Sequence, residues 1–262
     1  WQKPALVAEA GAATRPEQLK SFAIQLTRQL GLNPGYLIPA YEDPWQALDL
    51  ESRLPPNLDP HATDLTKPDA RHRLAKQLRV GLAEIVGYVL PLKAGTAEAP
   101  PGSIAATQWR SSRWPLRQDR LYLIPGDSAL GYRLPLDSLP WQAPEDFELE
   151  LPPDPFAERA PLPDYPPAPP PADDAAIDDT PSARAVIHTA LALQVREGML
   201  HVCLPPTTTL EAWLALVAAL EQCSIALNQP IRLEGYAPPR DPRLLSLSVT
   251  PDPGVIEVNI HP

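Results

Sequence analysis

Proline constrains this chain more than any other residue, with 37 in 262 positions, against a usual share of about 5%. Each proline fixes φ and removes a backbone donor, so helix interiors and central strands exclude it. The regular elements must therefore be short, and loops and strand edges must take up much of the length. The prolines are densest at 145–182, where they alternate with Asp and Glu and apolar residues are few. Such a stretch buries too little surface to offset its ordering entropy, and it reads as an acidic linker or surface insertion. It divides the chain into a mixed α/β N-terminal region (1–144), the linker, and an α+β sandwich (183–262).

The formal charge of −10 argues against nucleic acid or an anionic membrane as partner, since both need clustered cations. Cys203 and Cys223 are the two cysteines. They form no CxxC pair, so neither a zinc site nor a disulfide framework is expected. No apolar run reaches the ~20 residues of a membrane helix, and no signal-peptide pattern follows Trp1. The expected compartment is cytoplasmic. Both ends look cut, and the expectation is a segment of a longer protein.

Periodicity supplies the elements. A helix begins at Thr14, with Thr14 and Glu17 as a capping box, Pro16 in the first turn and Gly31 as its stop. An extended piece spans Tyr36 to Tyr41. A second helix is expected from Asp69 to Ile85, followed by strands at Gly87–Leu92, Ile104–Arg110 and Arg120–Ile124. A loop of small residues is expected between Gly95 and Gly102. Trp109, Trp114 and Trp141 read as packing residues.

Beyond the linker, Val186–Val195 and Met199–Leu204 form strands joined by the hairpin turn Arg196-Glu-Gly198. A helix from Thr209 to Leu227 is capped by Thr208 and Glu211 and carries an apolar stripe through Leu210, Trp213, Leu214, Val217 and Leu220. Strands follow at Ile231–Tyr236, Leu244–Val249 and Val255–Ile260, the last two joined by Pro251-Asp-Pro-Gly254. The order ββαβββ implies an antiparallel sheet backed by a helix.

Alternation sorts these strands into faces. Ile231, Leu233, Leu245, Leu247, Val249, Ile256, Val258 and Ile260 are apolar. Arg232, Glu234, Ser246, Ser248, Glu257, Asn259 and His261 are polar and point the other way. Pattern alone favours a solvated sheet face. The functional reading is a metal and phosphate site, because Mg²⁺ takes carboxylate and amide oxygens and bridges to phosphates. Glu234 and Glu257 would supply metal ligands, with Asn259 beside them, and Arg240 and Arg243 would clamp phosphate or carboxylate.

His201 and Cys203 share a strand face as a nucleophile and base would, but no third group is identifiable and packing is the favoured reading. His188 and Thr189 fall on opposite faces. Gly126-Asp-Ser128 reads as a plain turn before it reads as an anion nest. There is no P-loop, GxGxxG, GxSxG or HExxH motif.

Longer runs carry a resemblance. They are Pro39-Ala-Tyr-Glu-Asp-Pro44, Gly87-Tyr-Val-Leu-Pro-Leu92, Trp109, Trp114-Pro-Leu-Arg117, and the stretch from Pro125-Gly-Asp-Ser128 to Trp141. Three more are Leu200-His-Val-Cys-Leu-Pro-Pro206, Leu233-Glu-Gly-Tyr-Ala-Pro-Pro-Arg-Asp-Pro-Arg243 and Ser248 to Pro262. With these the chain resembles the bacterial putative amidoligase family, whose domain is usually fused behind a transglutaminase-like domain.

The resemblance implies a carboxylate-amine ligase with part of a glutamine synthetase-like catalytic sheet, using ATP and Mg²⁺ to join small-molecule or peptide acids and amines. It implies that Glu234, Glu257 and Asn259 face a metal-nucleotide cleft. Asp127, Arg133, Arg240, Arg243, Asp241 and His261 are then implied as supporting phosphate, nucleotide or substrate residues. Family members continue past the position of Pro262, so this segment is expected to carry a partial, inactive site. Two other readings stay open: a non-catalytic module that positions substrates for a transglutaminase-like neighbour, and an amide hydrolase.

Overall fold

The computed structural model describes residues 14–42, 66–70, 85–96, 107–116, 121–125, 132–134, 136, 139–140, 159–162, 186–196, 198–252 and 255–260. The class is α+β, with a mostly antiparallel sheet and few helices. Helix α1 spans Pro16–Gln29 and buries Leu19, Phe22, Ala23 and Leu26, a spacing that sets all four on one side. Gly31 ends it at φ 73°, a left-handed geometry that glycine adopts without penalty.

The cap differs from expectation by one residue. Arg15 is the N-cap, and its N–H donates to Oε1 of Gln18 at 2.8 Å. Thr14 is drawn away instead, its hydroxyl accepting from Nε2 of Gln229 and its N–H donating to the carbonyl of Gly198.

Strands follow at Ile38–Glu42 (β1), Ile85–Pro91 (β2), Lys93–Thr96 (β3), Thr107–Arg110 (β4), Leu121–Pro125 (β5), Tyr132–Arg133 (β6), Ala190–Arg196 (β7) and Met199–Leu204 (β8). Helix α2 spans Leu210–Ala226, and β9 (Ile231–Gly235), β10 (Leu247–Asp252) and β11 (Val255–Ile260) complete the set. Ile85, expected to end a helix, opens β2. Residues 68–70 are helical, and the rest of that expected helix, 71–84, lies outside the described residues. Lys93–Thr96, expected in part as loop, pairs with β4 as a two-stranded ladder. The cap of α2 is Thr209, whose hydroxyl accepts from the N–H of Ala212, one residue later than expected.

Seven strands form one sheet in the order β6-β5-β1-β2-β7-β8-β9. The regions on either side of 145–182 therefore share a sheet, through the antiparallel pairing of β2 with β7. They also share a core. Phe22 and Leu26 of α1, Leu216 and Leu220 of α2, and Leu90, Leu193, Leu200 and Ile231 of the strands belong to one buried cluster. Burying each such side chain contributes about 1.5–3 kcal/mol.

Two features depart from the ββαβββ sheet. First, β8 and β9 run parallel, in the register Leu200↔Ile231 to Leu204↔Gly235. Helix α2 is the crossover that a parallel pair requires. Second, β10 and β11 pair with each other as a separate ladder. Of its aliphatic side chains, Leu247 and Val258 are both exposed.

Candidate functional site

The helices cover one face of the seven-stranded sheet. On its other face, Trp114, Leu121, Leu123 and Leu139 pack over β1, β2 and β5. Trp114 is pinned by its indole N–H, which donates to the carbonyl of Ile187 at 2.7 Å. Toward β7, β8 and β9 the same face turns polar. Alternation and register set Gln194 opposite His201, His201 beside Arg232, and Cys203 beside Glu234.

His201 and Glu234 close on one another and on Arg196, two residues beyond Gln194 on β7. Nδ1 of His201 lies 2.8 Å from Oε1 of Glu234. Nη2 of Arg196 donates to Oε2 of the same carboxylate and also sits 2.5 Å from Nδ1 of His201. A guanidinium only donates, so Nδ1 cannot serve both neighbours. Either bond would be charge-assisted; a proton on Nδ1 serves Glu234 and leaves Arg196 its own bond to the same carboxylate. The Arg196 proton is then committed to Oε2, and the ring's remaining acceptor is Nε2.

Burial alone would raise the Glu234 carboxyl. Hydrogen bonds from Arg196 and His201, with the Arg196 charge, outweigh it and hold the group below its usual range. Exposure grades across the cluster, from 6% for the His201 side chain through 18% for Glu234 to 28% for Arg196, so its outlet is on the Arg196 side.

Cys203 has the wrong electrostatics for a nucleophile. Burial first, then the Glu234 charge, raise its thiol pKa, and Arg196 only partly offsets them. The third group missing from the His201–Cys203 pair is thus present, but it disfavours the thiolate. Gln194 stands on the same face, 8% exposed, and its buried Oε1 has no hydrogen-bond partner among the described residues.

A second polar cluster joins the loop after β9 to α2. Asp241 accepts from the N–H and Nε of Arg243 at Oδ1, and from Nη2 of Arg243 and Nη1 of Arg159 at Oδ2. Arg243 also donates to Glu211 and to the carbonyl of Ala160. The Arg243 bonds lead in pulling the Asp241 carboxyl down to about 2. Its side chain is 2% exposed. Here Arg243 and Asp241 clamp each other and brace the loop.

The structure therefore separates the expected site residues. Glu234 belongs to the main sheet. Glu257 and Asn259 lie on β11, in register with Thr250 and Ser248 of β10. Arg240 is exposed in the loop between β9 and β10. Arg133 pairs through its backbone with Ile124, and Asp127 and His261 lie outside the described residues. Gln194, Arg196, Arg159 and Glu211 were missed. Gln194 alone carried a local signal, a polar residue inside the apolar run Ala190-Leu-Ala-Leu-Gln-Val195.

Among the described residues, no group of three or more His, Cys, Asp or Glu could hold a metal ion. Glu234 in particular does not fit a Mg²⁺ ligand, because both its oxygens are engaged and a guanidinium sits beside it. Mg²⁺ takes carboxylate and amide oxygens, and Glu257 and Asn259 are the residues of β11 that carry them. No helix among the described residues is long and apolar enough to cross a membrane.

A family model described as "Putative amidoligase enzyme (DUF2126)" matches residues 1–262. Comparison with curated proteins and with solved structures gave no match.

Proposed function

The chain belongs to the putative amidoligase family, and from that premise we propose that it is part of an ATP- and Mg²⁺-dependent carboxylate-amine ligase that forms amide bonds. The observation that carries this reading is the Glu234–His201–Arg196 cluster, a charge-balanced acid-base group set on the sheet face away from the helices. Amide formation needs such a group on the amine side, because an amine must shed a proton as it attacks.

The nucleotide side falls to the other ladder. Glu257 and Asn259 would hold the metal, and Arg240 would meet phosphate or the acid substrate. Bound metal-nucleotide would supply activation of the carboxylate. Arg243 keeps Asp241 ionised and the loop in place, and through the loop it positions Arg240. Asp127, Arg133 and His261 remain candidates for the same side. The raised Cys203 thiol speaks against a thiol hydrolase.

The test is incubation of the full-length protein with Mg-ATP, a panel of α-amino acids as carboxylates, and methylamine. Phosphate release that requires both acid and amine, with an amide product by mass spectrometry, is the expected result. Amide cleavage without ATP would replace the ligase by a hydrolase. Peptide binding without either reaction would leave a substrate-positioning module.

A further inference from the structure

The acceptor of Gln194 is unfilled among the described residues. A buried amide oxygen without a partner forfeits its hydrogen bond to water, and Oε1 of Gln194 is such an atom. Gln194 is the register partner of His201 on the antiparallel pair β7–β8, a relation that brings Cβ atoms within about 5.5 Å on one face. His201 contacts Glu234 and Arg196 through Nδ1. In the tautomer that Glu234 enforces, Nε2 is a lone-pair acceptor. Two acceptors thus stand on one face, and neither has a donor among the described residues.

We propose that Gln194 and His201 form an amine subsite, whose ligand is ammonia or a primary amine. An uncharged amine has N–H groups for Oε1 of Gln194 and Nε2 of His201, and its lone pair stays free to attack. A carboxylate or phosphate, which has only acceptors, would be repelled by the same pair. The assignment deepens the ligase reading and rests on it for the reaction, though not for binding. As the nitrogen forms its bond to the activated carboxyl carbon, the phosphate leaves with the electron pair of the C–O bond that breaks. The proton released from nitrogen passes to Nε2 of His201. Glu234 is a positioning residue, which fixes the tautomer and balances the imidazolium that forms.

The first test needs no acid substrate or nucleotide. Methylamine is titrated into the full-length protein and followed by NMR of the His201 ring and the Gln194 side-chain amide. Sodium chloride at matched ionic strength is the control. A proton on Nδ1 and saturable shifts at both residues are expected, with the His201 shift lost in Gln194→Met. A proton on Nε2, or shifts that grow linearly without saturation, overturns the subsite. Gln194→Met removes an unsatisfied acceptor and should leave Tm unchanged or raised.

In the ligase assay, Gln194→Met should raise KM for methylamine about tenfold at unchanged kcat, the signature of lost uniform binding. His201→Asn keeps a donor for Glu234 and should lower kcat by about 10²- to 10⁴-fold. Hydroxylamine, already uncharged at neutral pH, should recover much of that loss. Full activity of His201→Asn with methylamine would overturn the base assignment while leaving the ligase reading intact. Absence of any amide product from wild type would sink the ligase reading, and the NMR titration would still decide the subsite.

Discussion

Nδ1 of His201 lies 2.8 Å from Oε1 of Glu234, although the two residues stand 33 positions apart in the chain. The parallel pairing of β8 with β9 makes the contact possible, because it sets Cys203 beside Glu234 and His201 one step back on the same face. Helix α2 lies between the two strands in sequence and packs on the opposite side of the sheet. The core thereby fixes the crossover, and the crossover fixes the polar cluster.

That cluster makes Cys203 a reporter. The Glu234 charge helps to raise its thiol, so Glu234→Gln should speed alkylation of Cys203 by iodoacetamide at neutral pH. Cys223 is an internal control. Burial pushes its thiol up to about 12, and it should label only on unfolding in both proteins. An unchanged Cys203 rate in the variant would show that the carboxylate does not act on the thiol.

The Asp241 clamp should be visible in acid. Its folded carboxyl titrates at about 2 against 3.8 for the free group. Its contribution is therefore complete above the unfolded value and is lost as pH falls through the folded one. Asp241→Asn should cost about 2–3 kcal/mol at neutral pH. In urea melts the difference from wild type should shrink as pH falls from about 4 toward 2. A constant difference across that window would contradict the clamp.

Gly235 closes β9 immediately after Glu234 and has no room for a side chain. Its φ is 92°, and an added Cβ would meet N and O of Leu204 at 2.6 Å and Sγ of Cys203 at 2.9 Å. Gly235→Ala should destabilise by about 2–4 kcal/mol and disturb the N–H of Tyr236, which donates to the carbonyl of Leu204. A thermal melt within a degree of wild type would refute this.

Local signals in the sequence located most of the elements. The stop at Gly31, the turn before Gly198, and the alternation of Met199–Leu204 and Val255–Ile260 depend on neighbours a few residues away. The caps were displaced by one residue because distant partners compete for them. Thr14 bonds to Gln229, and Glu211 to Arg243.

The pairing was not legible. A period of two is the same in parallel and antiparallel strands, so nothing near Ile231 marks it as a partner of Leu200. Nothing near Glu257 indicates that β11 pairs with β10 outside the main sheet. For the same reason His201 and Cys203 could be read as a pair while their carboxylate partner could not.

The proposed division of labour between the two ladders is decided by calorimetric titration of Mg-ATP into the full-length protein. Glu257→Gln should weaken binding at least about tenfold, the loss of a charged ligand being worth ~1.4 kcal/mol or more. Glu234→Gln should bind within about twofold of wild type, because its carboxylate is already held by Arg196 and His201. Loss of Mg-ATP binding in Glu234→Gln with retention in Glu257→Gln would contradict the account, as would a wild-type protein that does not bind the nucleotide.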